Sequence, residues 1–304
     1  MNLLIKFRSI YILCICLFII WLGWVVEQLL QNNEALFRLG AFATVLALML
    51  IWEALTPRRT PLLGWNRRLN NLALVGLDVL LVRFLIPIAT VAVAEISMAR
   101  DWGLFNIVDA GFWPSFVLSF LLMDLVIYGQ HVITHKIPLL WRIHRVHHTD
   151  LDFDVTTALR FHPFEIILSM FIKFFFIALF GAPVAAVIVF EIILNISSMF
   201  NHSNIRIPAS IDRLLRYFIV TPDMHRVHHS VIKVETNSNY GFNIPWWDYI
   251  FRTYRPQPKD GHIKMKIGLN EFQGYKVIFL HWLLLQPFVS GKKEIREKII
   301  SEEN

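Results

Sequence analysis

Apolar residues run with few interruptions over 9–30 and 36–55, each stretch close to the ~20 residues that carry a helix across a bilayer. The polar Gln31-Asn32-Asn33-Glu34 between them predicts a tight antiparallel pair. Thr56-Pro57 closes the second helix, because proline cannot continue it. A third helix is predicted over 72–96, carrying Asp78, Arg83 and Glu95. Charges at membrane depth are costly, so Asp78 and Arg83 are expected to face the bundle interior or reach toward the interface. An interfacial segment over 101–112 then leads into a fourth helix from Trp113 that ends on His131 and His135. A further apolar region, 166–200, is interrupted at Gly181-Ala182-Pro183. Its two arms are short for independent crossings and predict a hairpin that dips into the membrane and returns to the same side. Beyond it, Thr236 to Gly241 is turn chemistry, and Trp246, Trp247, Tyr249 and Phe251 form an aromatic cluster expected at the membrane surface. The stretch 275–288 is expected to form an amphipathic helix, with Lys292 to Asn304 as a solvated tail.

Composition strengthens this pattern. Hydrophobic residues make up 56% of the 304 and charged residues 17%, more apolar content than a soluble core needs. The net charge of +6 comes largely from arginines beside apolar runs. Arg58, Arg59, Arg67 and Arg68 fill the second loop whereas the first has Arg38 alone, so the positive-inside bias places the N-terminus and the loop 57–71 in the cytoplasm. Four crossings then bring every histidine motif to the cytoplasmic face. No basic stripe with interleaved aromatics suggests a nucleic-acid partner. The two cysteines, Cys14 and Cys16, lie in the first apolar run on different helix faces, which excludes a disulfide framework and a thiolate metal site.

The candidate chemistry is imidazole. His144-Arg145-Val146-His147-His148 returns as His225-Arg226-Val227-His228-His229. On a helix, residues three and four apart share a face, so each copy presents a cluster of rings, and His131 and His135 add an i, i+4 pair. These eight histidines exceed the first shell of one ion, which points to two metals with four or five ligands each. The HExxH pattern of single-zinc hydrolases is absent, since Val132, Ile133 and Thr134 separate His131 from His135. Asp124, seven residues before His131, is a candidate acceptor for an imidazole N–H. Glu191, Asn195, Ser198 and His202 form a polar line on one helical face, read as support for the metals or as the wall of a substrate cavity. Arg145 and Arg226 are candidates to contact lipid phosphate or an acidic reductase. A dimetal site beneath a membrane cavity suits O2 binding and attack on an unactivated lipid C–H bond.

The ordered set HxxxH (131, 135), HxxHH (144, 147, 148), His202 and HxxHH (225, 228, 229), spread over about 113–254, resembles the fatty acid hydroxylase and sterol desaturase superfamily of membrane non-haem di-iron oxygenases. The resemblance implies an all-α integral membrane fold, a four-helix transmembrane bundle under a cytosolic histidine-rich helical cap, to which the sequence adds the re-entrant hairpin. It implies His131, His135, His144, His147, His148, His225, His228 and His229 as metal ligands and His202 as a ninth. His162, in the Arg160-Phe161-His162-Pro163-Phe164-Glu165 segment, becomes a ligand or supporting residue, and Asn239 falls in a loop similar to the family's. Arg252 departs from the resemblance, which leads one to expect glycine in the middle of Phe251-Arg252-Thr253. The implied sections are 1–112 for N-terminal helices and loops, 113–254 for the di-iron catalytic domain and 255–304 for the amphipathic helix and tail. The implied cofactors are two Fe ions, with Zn as a substitute in purified protein, and O2 as cosubstrate. The implied reaction is hydroxylation or desaturation of a membrane lipid or sterol-like substrate. Electrons would come from a separate cytochrome b5-like or ferredoxin-type donor, at a bacterial inner membrane or, in a eukaryote, the ER membrane. Two rival classes are a metal transporter or sensor, and a metal-dependent membrane lipid hydrolase on the same fold.

Overall fold

The computed structural model describes residues 22, 23, 25–86 and 88–289. Most of the predicted 9–30 helix, both cysteines and the tail beyond 289 therefore lie outside the described residues. The described chain is helical, with two isolated bridges, Pro57 to Ile205 and Ser230 to Ile267, in place of a sheet. The helices that matter below are α1 (Glu34–Leu55), α2 (Trp65–Leu85), α3 (Thr90–Ala99), α4 (Phe112–Lys136), α5 (Pro138–His148), α6 (Pro163–Phe180), α7 (Val184–Asn201) and α8 (Pro222–His228). Among the described residues, five segments are long and apolar enough to cross a bilayer: Glu34–Leu55, Trp65–Ile107, Phe112–Lys136, Pro163–Phe180 and Val184–Asn201. This is a multi-pass membrane protein.

Two predicted elements take a different form. The single helix expected over 72–96 is two, α2 and α3, broken between Leu85 and Thr90. That interval contains Pro87, which has no amide N–H to continue the ladder. The interfacial segment 101–112 contains only one helical turn, Leu104–Ile107. The arms around Gly181-Ala182-Pro183 are α6 and α7, 18 residues each, about 27 Å at helical rise and so nearly a full hydrocarbon thickness. That length suits a crossing as well as a dip, and either route returns the chain to the side it left.

The chain forms two compact units. The first comprises residues up to Gly40, Ile88–Met123 and Lys173–Ile192. Its polar centre is Glu191, which accepts from Thr90 Oγ1 at 2.7 Å and pairs with Arg38 at 2.8 Å and Lys173 at 2.5 Å. The polar line expected along α7 thus begins in an ion cluster. In the same unit Gly103 and Gly181 both have left-handed φ, and a Cβ on Gly103 would lie 2.1 Å from the Gly181 nitrogen. Only glycine permits that approach.

The second unit, Ala41–Pro87, Asp124–Ile172 and Ile193–Asn304, holds every histidine motif. Arg67, Asn71, Leu74 and Asp78 are the buried positions of α2 and recur at helical spacing along one face. Arg67, fully buried, pairs with Asp150 and Asp154, while Asn71 donates to Asp150 Oδ2 at 3.2 Å. Arg160, also fully buried, donates to the carbonyls of Val146 at 2.8 Å and Val277 at 2.7 Å and to Thr149 Oγ1 at 3.1 Å. These bonds tie the chain just after the first HxxHH helix to α2. Glu53 near the end of α1 accepts from the amides of Val155 at 2.7 Å and Asn204 at 2.8 Å, fastening two site loops to one carboxylate. Arg252 adopts φ 59°, the left-handed region where glycine was expected, at a cost of roughly 1–2 kcal/mol.

Removing one partner of a buried ion pair leaves the other charge uncompensated, which costs about 3–5 kcal/mol. Arg67→Gln should therefore lower the thermal unfolding temperature of detergent-purified protein sharply. A shift equivalent to less than ~1 kcal/mol would contradict the role given to this pair.

Candidate metal centre

The corner between α4 and α5 begins the site. The α4 helix ends at Lys136, one residue after His135, and Pro138 opens α5 at a position where its missing N–H costs nothing. The α8 helix starts the same way: Thr221 caps it by accepting from the Met224 amide at 3.3 Å, and Pro222 follows. Each HxxHH motif thus closes a short helix with a fixed start, His229 forming the C-cap of α8.

Nine histidines converge there as two groups. His131, His135, His144, His148 and His228 form one; His147, His202, His225 and His229 form the other. Within each group the candidate ligand atoms all lie within 4.8 Å of one another. The groups abut, with the rings of His148 and His229 stacked at 4.6 Å. Adjacent motif residues are divided between them: His147 and His148 go to different groups, as do His228 and His229. All nine are buried except His135, which is partly so.

Hydrogen bonds on the outer side set the tautomers of three rings. Nδ1 of His131 donates to the Tyr240 carbonyl at 2.9 Å, that of His228 to Ser238 at 2.7 Å and that of His202 to Ser198 at 2.8 Å. Since a carbonyl only accepts, Nδ1 carries the proton and Nε2 is left as a lone pair. His144 Nδ1 lies 2.6 Å from Glu165 Oε1, and His135 Nδ1 lies 3.2 Å from Asn237 Oδ1. On the inner side, Nε2 atoms meet one another: His135 to His148 at 3.1 Å, His148 to His144 at 3.2 Å, His147 to His202 at 3.0 Å and His202 to His225 at 3.1 Å. The inward Nε2 atoms of His131 and His228, fixed as lone pairs, are buried without a hydrogen-bond partner. Nitrogens bound at about 2.1 Å to one ion stand roughly 3.0–3.4 Å apart, the edges of an octahedron and a tetrahedron. The observed contacts fall in that range, so the residues fit a metal.

Electrostatics agree. Burial first, then neighbouring imidazoles, hold His147, His148, His225 and His229 well below the ordinary histidine range. His228 is lowered likewise, and burial takes His202 to about 4. Neutral imidazoles are the form that binds metal. The all-nitrogen donor set suits Fe, Zn and Cu alike.

Other candidates lie elsewhere. Asp124 accepts from Trp247 Nε1 at 2.8 Å instead of from an imidazole, because seven residues of helix separate its backbone from that of His131 by about 10 Å. His162 is in neither group: its Nδ1 accepts from the Phe164 amide at 3.2 Å at the start of α6, and its Nε2 meets the Leu284 carbonyl at 3.2 Å. Asn195 is exposed on α7 and belongs to neither group. The Asn239 side chain hydrogen-bonds backbone at Met224 and Arg255. Arg226 is fully buried on Asp223 and the Ser203 carbonyl, and Arg145 donates to the carbonyls of Gln286 and Val289 at 2.6 Å each. Neither arginine is placed to meet a lipid phosphate. Sequence reasoning missed Glu165 and the carbonyls of Ser238 and Tyr240 as outer partners; only the carboxylate carries a side-chain identity that a sequence displays.

In metal-stripped protein the depressed values have a signed consequence. The unfolded histidines titrate near pH ~6.5, whereas the folded ones resist protonation, so stability present above about 6.5 is lost as pH falls toward the folded values. Thermal unfolding after chelation should drop progressively from about pH 7 to about pH 5. An unchanged unfolding temperature would contradict burial of neutral rings.

Comparison with known proteins agrees with this geometry. Residues 116–253 match the family profile described as fatty acid hydroxylase. The chain is 27% identical over 230 residues to ornithine lipid hydroxylase OlsE of Rhizobium tropici, covering 71% of this chain and 65% of the relative. It is 28% identical over 176 residues to alkylglycerol monooxygenase of Xenopus tropicalis, 55% of this chain and 36% of the relative. It is 26% identical over 144 residues to cholesterol 25-hydroxylase of Rattus norvegicus, 47% of each chain. The chain thus spans between about a third and two thirds of the length of these curated relatives. No solved structure matches significantly. The matched region contains both histidine groups, and over residues 116–253 the chain is similar to the fatty acid hydroxylase superfamily.

Proposed function

We propose that the protein uses O2 to hydroxylate, or desaturate, a membrane lipid or sterol-like substrate at a di-iron centre, within a catalytic domain spanning 113–254. The observation that carries this reading is the pair of abutting groups of five and four histidines whose inward nitrogens converge in a buried place. His131, His135, His144, His148 and His228 would hold one iron; His147, His202, His225 and His229 would hold the other. A redox-active metal pair supplies O2 chemistry that no side chain performs alone. The chain's own residues bury the site against water, keep the imidazoles neutral and orient the rings through their outer nitrogens.

The relatives' names, ornithine lipid hydroxylase, alkylglycerol monooxygenase and cholesterol 25-hydroxylase, all point to amphiphiles that reside in membranes, which supports a lipid substrate here. Hydroxylation puts one oxygen atom into a C–H bond and releases the other as water, consuming two electrons. A separate cytochrome b5-like or ferredoxin-type donor would deliver them on the cytoplasmic side, where the positive-inside bias puts the histidines. The four-helix bundle with a re-entrant α6–α7 hairpin is kept as the topology that delivers them there.

Two rivals come from other classes. A transporter needs ligands along its spans near the midplane, whereas only His131 and His135 lie on α4, at its end, and His202 just follows α7. A hydrolase would use metal-bound water and needs no redox-active pair.

Turnover under labelled O2, read by mass spectrometry of extracted lipid, separates these readings. Label in a hydroxylated product is expected; an unlabelled, unsaturated product marks the desaturase form, and an unlabelled cleavage product overturns oxygenation in favour of hydrolysis. His147→Ala and His228→Ala, one from each group, should each reduce activity by at least ~100-fold, while Cys14→Ala leaves it unchanged. Full activity in both histidine variants would exclude the site.

A further inference from the structure

The five-histidine group takes most of its outer contacts from a single stretch of chain. Asn237 Oδ1 meets His135 at 3.2 Å, the Ser238 carbonyl accepts from His228 at 2.7 Å and the Tyr240 carbonyl accepts from His131 at 2.9 Å. The four-histidine group has no such stretch: His202 is oriented from within its own helix end, by the Ser198 carbonyl. The two groups are therefore supported by different parts of the fold.

What holds 237–240 in place is Asn239. It is fully buried and has φ 52°, a left-handed conformation that asparagine tolerates better than most residues. Its Nδ2 donates to the carbonyls of Met224 in α8 and of Arg255, at 2.8 Å each, and its Oδ1 accepts from the Arg255 amide at 2.7 Å. One side chain thus ties the stretch to the helix bearing His225 and His228 and to the strand of chain after the aromatic cluster. Asp248 adds a second clamp by accepting from the amides of Tyr240 at 2.9 Å and Gly241 at 2.8 Å.

We infer that Asn239 is a positioning residue that acts first on the five-histidine group: by locking 237–240 it aims His131, His135 and His228 at one metal, whereas the other group meets it only through the Met224 carbonyl on the helix of His225. The inference rests on the metal-binding reading above. Loss of such outer support typically weakens a metal site by roughly 10–100-fold.

The test measures metal per chain and its release to a chelator in detergent-purified wild type, Asn239→Gly and Asn237→Ala, with Mössbauer spectra of the iron-loaded proteins. Glycine keeps the left-handed backbone accessible and removes only the side-chain bonds. Asn237 lies on the exposed side of the stretch, so Asn237→Ala removes the His135 contact without threatening the fold and decides the matter if the glycine variant fails to fold. Release from one of the two sites is expected to quicken by about 10–100-fold in Asn239→Gly and by less in Asn237→Ala, with one spectral component lost and the other retained. Equal quickening at both sites, or wild-type release in both variants, would overturn the inference. Wild type that takes up no metal would instead overturn the metal reading itself, and this shows before any variant is compared.

Discussion

Convergent lone pairs are the constraint on which the site is built. At His131, His202 and His228 an outer carbonyl takes the Nδ1 proton, which leaves Nε2 as an inward lone pair, and at His131 and His228 that lone pair is buried without a partner. Burying unpaired acceptors is costly unless a cation takes up the lone pairs. A metal held there would return its binding free energy as stability, and the outer bonds from Tyr240, Ser238, Ser198, Asn237 and Glu165 orient the rings they reach.

That arrangement needs loops that do not drift, in a part of the chain with little regular structure. Arg67 and Arg160 supply it by pinning the segment after the first HxxHH helix, and Glu53 joins the amides of Val155 and Asn204. These charges sit in an otherwise apolar chain, on α1, on α2 and in the turn after 155–159. Their burial is costly in isolation and becomes tolerable because each is paired or fully hydrogen-bonded.

The ligand candidates were legible in the sequence because their signal is local: i, i+3 and i, i+4 spacing on a helix survives any tertiary arrangement, and His202 followed from the polar face of α7. The division into groups was not legible. Neighbours such as His147 and His148 point into different groups, which depends on how α5 and α8 pack. The outer partners were largely hidden because backbone carbonyls have no sequence identity. Asp124 and His162 lie outside both groups for different reasons: the first shares a helix face with His131 but is two turns away, and the second has both ring nitrogens engaged at the start of α6 and by Leu284. The buried pairs of Arg67 join residues more than eighty positions apart, beyond any periodicity. The apolar runs of α1 and α4 were plain, whereas the break between α2 and α3 hung on one proline.

X-ray absorption spectroscopy of the purified protein addresses the central claim directly. Two transition-metal ions per chain are expected, with a first shell dominated by nitrogen at about 2.1 Å and the outer-ring scattering characteristic of imidazole. A substoichiometric metal, or a first shell dominated by sulfur or carboxylate oxygen, would contradict the account.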